Sequence, residues 1–234
     1  MKNESNLGLI IFSRMSSQRL PGKALIKING RELLGRVIDR SRNLFKPDKI
    51  VVSTSLEDSD LDIVRFCERE GIQYFRGSEK NVLERAVETA KKFSFDNFLR
   101  ICGDRPFFST DISKLAIEQH QNQNCDLTTS LGSFSNIPSG LTTEIIKVTA
   151  LEKILFNNKI KDKHKEHITS FIYEYNDKFT ISYLKIWEEG FLPEMRFVVD
   201  NNIDLQIINK LSITMDKSPE KDWIDNLIKA WSIR

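Results

Sequence analysis

A chain of 234 residues is long enough for one well-buried core and too short for two full domains. Its 35 Lys and Arg against 33 Asp and Glu leave a net charge of +2, which excludes a global field for nucleic acid or a membrane surface, so any basic function has to be local. The three cysteines, Cys67, Cys102 and Cys125, are widely spaced without a CxxC pair and suit reduced thiols packed in a cytoplasmic core.

The chain opens on a polar stretch, 1–6, and an apolar run, 7–12, too short for a signal peptide's apolar region or a membrane span, so a soluble cytoplasmic protein is expected. The run reads as a buried strand. A basic loop, 13–23, follows, then an extended segment, 24–28, a turn at Asn29-Gly30, and a helix over 32–45 with Leu33, Leu34, Val37, Ile38 and Leu44 near helical spacing. The β-branched stretch 49–54 is a second buried strand, 58–71 a helix closed by Gly71, and 72–75 a third strand. A helix over 79–93, capped by Ser78, and a strand over 95–101 continue the alternation. This rhythm predicts an α/β fold with a mostly parallel, doubly wound sheet.

Beyond Asp104 the pattern loosens into a helix over 110–121, an extended segment over 125–130 and a Ser-, Asn-, Pro- and Gly-rich loop over 132–140. Short strands (142–148, 179–186) and helices (150–156, 166–175) then suggest a small lobe, 135–192, inserted in a single domain spanning 1–234. A late strand, 195–200, a helix, 203–211, and a last helix, 218–231, complete the chain.

The loop Ser-Arg-Met-Ser-Ser-Gln-Arg-Leu-Pro-Gly-Lys at 13–23 alternates small residues with cations directly after a strand, the composition that holds phosphate through backbone N–H groups and charge. It is neither GxxxxGK[ST] nor GxGxxG, since Gly8 lies inside the strand, and an ordinary solvated loop is the alternative. Asp104 and Asp200 each end an apolar segment. Either they hold Mg²⁺ beside a polyphosphate or they cap the helices that follow, with Asp204 solvated in the first turn. Gly77-Ser78 forms a turn whose backbone can read a base while Arg85 points back at phosphate or carboxylate; the alternative is a capped helix with surface arginines. His164 and His167 stand at i, i+3 without HExxH or HxxEH, which disfavours zinc. His164 is expected to be a solvated helix residue, whereas Glu144, Glu166 and His167 are placed to meet a polar substrate.

Taken in order, Arg14-Met15-x-Ser17-x-Arg19-Leu20-Pro21-Gly22-Lys23, Val52-Ser53-Thr54-Ser55, Phe75-Arg76-Gly77-Ser78-Glu79 with Val82-Leu83-x-Arg85, Arg100-Ile101-x-Gly103-Asp104-x-Pro106 and Val199-Asp200 resemble the cytidylyltransferase family. That family includes CMP-Kdo synthetase and acylneuraminate cytidylyltransferases, and the likeness is nearest to the spore coat polysaccharide biosynthesis protein F branch. The resemblance implies a nucleotide-diphosphosugar transferase-like (GT-A-like) fold, CTP as donor, Mg²⁺ as cofactor, pyrophosphate as product and a sugar acid or related small acceptor for cell-surface polysaccharide biosynthesis. It further implies nucleotide binding by Arg14, Met15, Ser17, Arg19, Lys23, Gly77, Ser78, Arg85 and Asp104, with Arg14, Lys23, Asp104 and Asp200 as the catalytic set. Asp104 and Asp200 would ligate the metal. Pro138, Gly140 and Glu144, and the run Glu166-His167-Ile168-Thr169, match segments assigned to the acceptor, as does the neighbourhood of Arg105, which stands where the branch often has Cys. Ser13, Ala86 and Asn201 are further departures. Homodimerisation through the 135–192 lobe is the matching expectation, with neither nucleic acid nor membrane as partner. Two other readings share these motifs: a donor other than CTP, and a catalytically silent nucleotide-binding subunit.

Overall fold

The computed structural model describes residues 6–219 and 223–233; the polar opening 1–5 and residues 220–222 of the expected last helix lie outside the described residues. In β1 (Leu7–Phe12) the apolar run is buried on both faces, as a central parallel strand requires. A 3₁₀ turn at Lys23–Leu25, where an extended segment was expected, precedes a hairpin of β2 (Lys27–Ile28) and β3 (Arg31–Glu32). Pro21-Gly22 forces the turn, with Leu25 N–H donating to Gly22 O at 3.1 Å. Helix α1 (Leu33–Ser41), β4 (Ile50–Ser55), α2 (Leu61–Glu70), β5 (Gln73–Gly77), α3 (Val82–Lys92) and β6 (Asn97–Cys102) follow in the expected alternation. Asn81 caps α3, accepting from Glu84 N–H, whereas the expected cap, Ser78, accepts from Asn81 N–H one turn earlier.

After α4 (Thr110–Gln123) come β7 (Leu127–Thr129), β8 (Glu144–Lys147), α5 (Val148–Leu155), α6 (Asp162–Glu166), α7 (Ser170–Glu174), β9 (Ile181–Tyr183), α8 (Asn202–Met215) and α9 (Trp223–Ser232). Seven strands form one sheet in the order β5-β4-β1-β6-β8-β7-β9. It is mostly parallel, with β8 antiparallel to both β6 and β7. Helices α1, α2 and α4 pack on the face carrying Leu9, Ile11 and Leu99, and α3, α5 and α7 on the face carrying Ile10, Val51 and Phe98. A third cluster joins α8 and α9 to Phe107 and Phe197. Among the described residues no helix is long and apolar enough to cross a membrane.

Three expectations change. Segment 135–192 contributes β8 and β9 to the main sheet, and its α5 and α7 pack on the sheet face carrying Ile10, Val51 and Phe98. The expected helix 166–175 breaks at residues 167–169, where Ile168 turns into the core and Ser170 N–H closes a turn on His167 O at 2.8 Å. Segment 195–200 is extended but joins no sheet: it is tied by one bridge to Ser139 and by Val199 N–H donating to Asp104 O at 2.9 Å.

Candidate active site

Leaving β1, the chain crosses to β4 and β5 on one side of the sheet, then returns to β6 on the other. The carboxyl ends of β1 and β6 therefore meet at a topological switch point, where open α/β sheets bind ligands. A cleft of about 1000 Å³ opens there. Its two walls approach as closely as glycine allows: Gly103 N–H donates to Phe12 O at 2.8 Å, and a Cβ on Gly103 would lie 2.8 Å from Ser13 Oγ.

The basic loop folds back on itself, with Ser17 N–H and Gly22 N–H both donating to Met15 O at 2.8 and 3.0 Å. Asp60, fully buried, anchors it by accepting Met15 N–H at 2.7 Å, together with Thr54 Oγ1 and Ser55 N–H at 2.8 and 2.9 Å. Burial disfavours the Asp60 charge, but these hydrogen bonds outweigh it and hold the carboxyl below its ordinary range.

Lys23 is the centre of the cleft floor. Its Nζ donates to Asp104 Oδ2 at 2.8 Å, to Val199 O at 2.9 Å and to Asp200 Oδ1 at 3.1 Å. Arg19 lies 3.3 Å from the other Asp200 oxygen, which Arg196 also holds. Burial works against the Asp200 charge; the hydrogen bond and charge of Lys23, with Arg19 and Arg196, keep its carboxyl below the usual range. Neither aspartate caps a helix, because Ser109 caps α4 and Asn201 caps α8. Asp204, expected to be solvated, accepts Asp200 N–H at 2.9 Å. One carboxylate oxygen from just past β6 and one from the extended run 195–200 thus converge on one cation, a donor set that fits a divalent ion. Among the described residues no group of three or more His, Cys, Asp or Glu side chains is placed to hold a metal ion.

In the same cleft, Arg14 Nη2 donates to Glu166 Oε1 at 2.6 Å, and His167 is part of the lining. Arg85 is no surface arginine. It is 2% exposed, donates from Nη1 to Ser78 O at 2.6 Å, and packs its stem over Gly77, where a Cβ would come within 2.8 Å of Arg85 Cγ. Burial, then the neighbouring charge of Arg14, pushes its pKa down to about 10. His164 is fully buried, contrary to expectation, because both ring nitrogens are used: Nδ1 accepts Lys161 N–H and Nε2 pairs with Glu174, each at 3.0 Å.

Of the residues singled out from the sequence, Arg14, Ser17, Arg19, Lys23, Arg85, Asp104, Glu166, His167 and Asp200 all line this one cleft. Met15, Gly77, Ser78, Arg105 and Glu144 do not. Met15 contributes backbone to the loop, and Arg105 turns its Nη1 to the Thr142 hydroxyl at 3.0 Å. Glu144 lies beneath the floor, 3% exposed, accepting from Arg100 Nη1 at 2.5 Å and from Tyr173 Oη at 2.8 Å. Burial opposes its charge, but Arg100, Tyr173 and Arg105 hold its carboxyl below the ordinary range. Arg100, which does line the cleft, and Asp60 were missed as site residues. The signal for both was faint: a lone cation inside an apolar strand, and a carboxylate five residues after Ser55.

A family model described as cytidylyltransferase matches residues 9–223. The chain belongs to the cytidylyltransferase family. This cytidylyltransferase, a nucleotidyltransferase enzyme, is 34% identical over 239 residues to an uncharacterised protein of Methanocaldococcus jannaschii, with 96% of each chain covered. It is 29% identical over 215 residues to the spore coat polysaccharide biosynthesis protein SpsF of Bacillus subtilis, covering 90% of this chain and 88% of the relative. Its fold superposes on a cytidylyltransferase of Leptospira borgpetersenii with a TM-score of 0.85 at 24% identity, covering 98% of this chain and 96% of the other.

Proposed function

We propose that this enzyme transfers CMP from CTP to a small sugar-acid or related acceptor, with release of pyrophosphate, in cytoplasmic synthesis of a cell-surface polysaccharide precursor. The observation that carries the reading is Lys23 held between Asp104 and Asp200 in a cleft that Arg14 and Arg19 also line, an arrangement suited to gathering a triphosphate and a metal. Similarity to a relative named for spore coat polysaccharide biosynthesis supports the polysaccharide context. The three free cysteines suit a reducing compartment.

Asp104 and Asp200 would hold Mg²⁺, which when bound neutralises charge on the phosphate oxygens. Lys23, exchanged from its carboxylates to the phosphates, offsets charge on the departing pyrophosphate, and Arg14 and Arg19 hold the β- and γ-phosphates. Ser17 takes part from the same loop, and the Gly77-Ser78 turn, outside the cleft lining but tied to it by Arg85, would read the cytosine through its backbone. An acceptor oxygen attacks the α-phosphorus in line as the bond to the bridging oxygen breaks, so no protein nucleophile is needed. Glu166 and His167 face the acceptor, Arg85 lies between it and the phosphates, and Glu144 acts through Arg100. The proposal includes a homodimer across the β9 edge, where Phe134 and Trp187 are 51% and 73% exposed.

Pyrophosphate release with CTP and Mg²⁺ against a panel of sugar acids, neutral polyols and their phosphates is the test. Turnover with an acid acceptor, abolished by EDTA and by Asp104→Asn, is expected. In thermal shift with Mg²⁺, CTP is expected to raise Tm well above UTP, GTP or ATP; equal shifts would reassign the donor.

A further inference from the structure

Every cation of the basic loop that lines the cleft is held by a carboxylate: Lys23 by Asp104 and Asp200, Arg19 by Asp200, and Arg14 by Glu166. The first two carboxylates are the proposed metal ligands, so a divalent ion can replace the cations they give up. Glu166 has no such replacement. It sits on a different element, at the end of α6, and its pair with Arg14 spans 152 residues of sequence to join the loop after β1 to the wall that carries His167.

An arginine fork binds carboxylate and phosphate with the same N–H groups, so one guanidinium cannot serve both in full. A triphosphate carries the larger charge and draws Arg14, leaving the Glu166 carboxylate beside a polyanion. Arg85 supplies somewhere for it to go. That guanidinium lies within electrostatic reach of both Arg14 and Glu166, and its buried Nε has no hydrogen-bond partner among the described residues. Behind Glu166, His164 keeps α6 fastened to α7 through Glu174, so the end of α6 bearing residues 166 and 167 can shift without the helix pair coming apart.

We infer that Glu166 is a latch that competes with nucleotide phosphate for Arg14, so that a seated triphosphate releases Glu166 and His167 to the acceptor. Glu166 is thus a positioning residue that acts through Arg14. The inference rests on the reading of loop 13–23 as a phosphate site.

Inorganic tripolyphosphate with Mg²⁺ is the probe, because it engages Arg14 whatever base the enzyme prefers. By calorimetry Glu166→Gln is expected to bind it about two- to fivefold tighter than the wild type, the range for a partly exposed ion pair. In an Arg14→Gln background the same substitution is expected to give a clearly smaller gain, since the coupled partner is gone and only the relief of charge repulsion remains. Hydrogen exchange over residues 161–169 should quicken on adding tripolyphosphate to the wild type and stay constant in Glu166→Gln. Equal or weaker binding by Glu166→Gln, or the same gain without Arg14, overturns the latch while leaving the phosphate site standing. Failure of the wild type to bind tripolyphosphate overturns the phosphate site and the latch with it.

Discussion

The ammonium of Lys23 lies 2.8 Å from the carboxylate of Asp104, 81 residues away in sequence, and the contact spans the switch point between β1 and β6. It joins the two walls of the cleft by their chemistry, where Gly103 and Ser13 join them by their fit.

Removing that cation has a defined consequence. Lys23→Met is expected to lower kcat by a hundredfold or more, on the scale of losing one preorganised donor. It also leaves Asp104 and Asp200 facing each other without their shared partner. Steady-state pyrophosphate release measures the effect, and near-wild-type turnover would remove Lys23 from the catalytic set.

Beneath the floor, Glu144→Gln leaves the guanidinium of Arg100 without its counter-charge in a nearly closed site. A loss of about 3 kcal/mol in urea unfolding is expected. Tyr173→Phe, which removes one hydroxyl donor to the same carboxylate, should cost about 1 kcal/mol. Because Arg100 lines the cleft, Glu144→Gln should lower turnover as well, even at temperatures where the variant stays folded.

His120 provides a pH test away from the cleft. Its Nδ1 is 2.9 Å from Thr128 Oγ1 and its Nε2 3.1 Å from Asn97 Oδ1. Burial, then the charge of Lys147, pushes its pKa down to about 4 from an ordinary 6.5. The unfolded chain binds this proton at the higher pH. The stability linked to His120 is therefore complete above about pH 6.5 and lost progressively as pH falls toward about 4, on the order of 3 kcal/mol in all. His120→Gln should flatten that part of the stability profile, and an unchanged slope would assign the acid sensitivity elsewhere.

Gly103→Ala tests the fit of the two walls. Its Cβ would meet Ser13 Oγ at 2.8 Å and Ser13 Cβ at 2.9 Å, so a stability loss of about 1–3 kcal/mol is expected. Asp104 is the next residue and would be displaced, so activity should fall by more than the unfolded fraction explains.

The parallel half of the sheet was legible because its signals are local: β-branched runs such as 50–55, and Gly71 past the end of α2. The cleft was legible because strand ends concentrate it, and the motifs there fell together. Glu144 was misplaced for a reason of register. Read along the chain it follows a Pro- and Gly-rich loop and looks presentable to a ligand; paired antiparallel with Arg100 on β6, it is covered. His164 is not legible as a buried residue because its partner, Glu174, lies in the next helix, across a break at 167–169 that helical spacing does not reveal. The extended run 195–200 has a strand's composition, since burial in the third cluster selects the same apolar residues as a sheet does.

That run separates the durability of the fold from the durability of the site. Asp200 is delivered by a segment that contributes no strand to the seven-stranded sheet and is fastened by the packing of Met195, Phe197 and Val199 with α8 and α9, and by backbone bonds to Ser139 and Asp104 outside that layer. A sub-global opening of this C-terminal layer would carry Asp200 away from Lys23 while leaving the hydrogen bonds of the sheet in place. In rising denaturant the enzyme should fall silent before its β-sheet signal begins to change, so survival of the fold is a poor measure of survival of the catalyst.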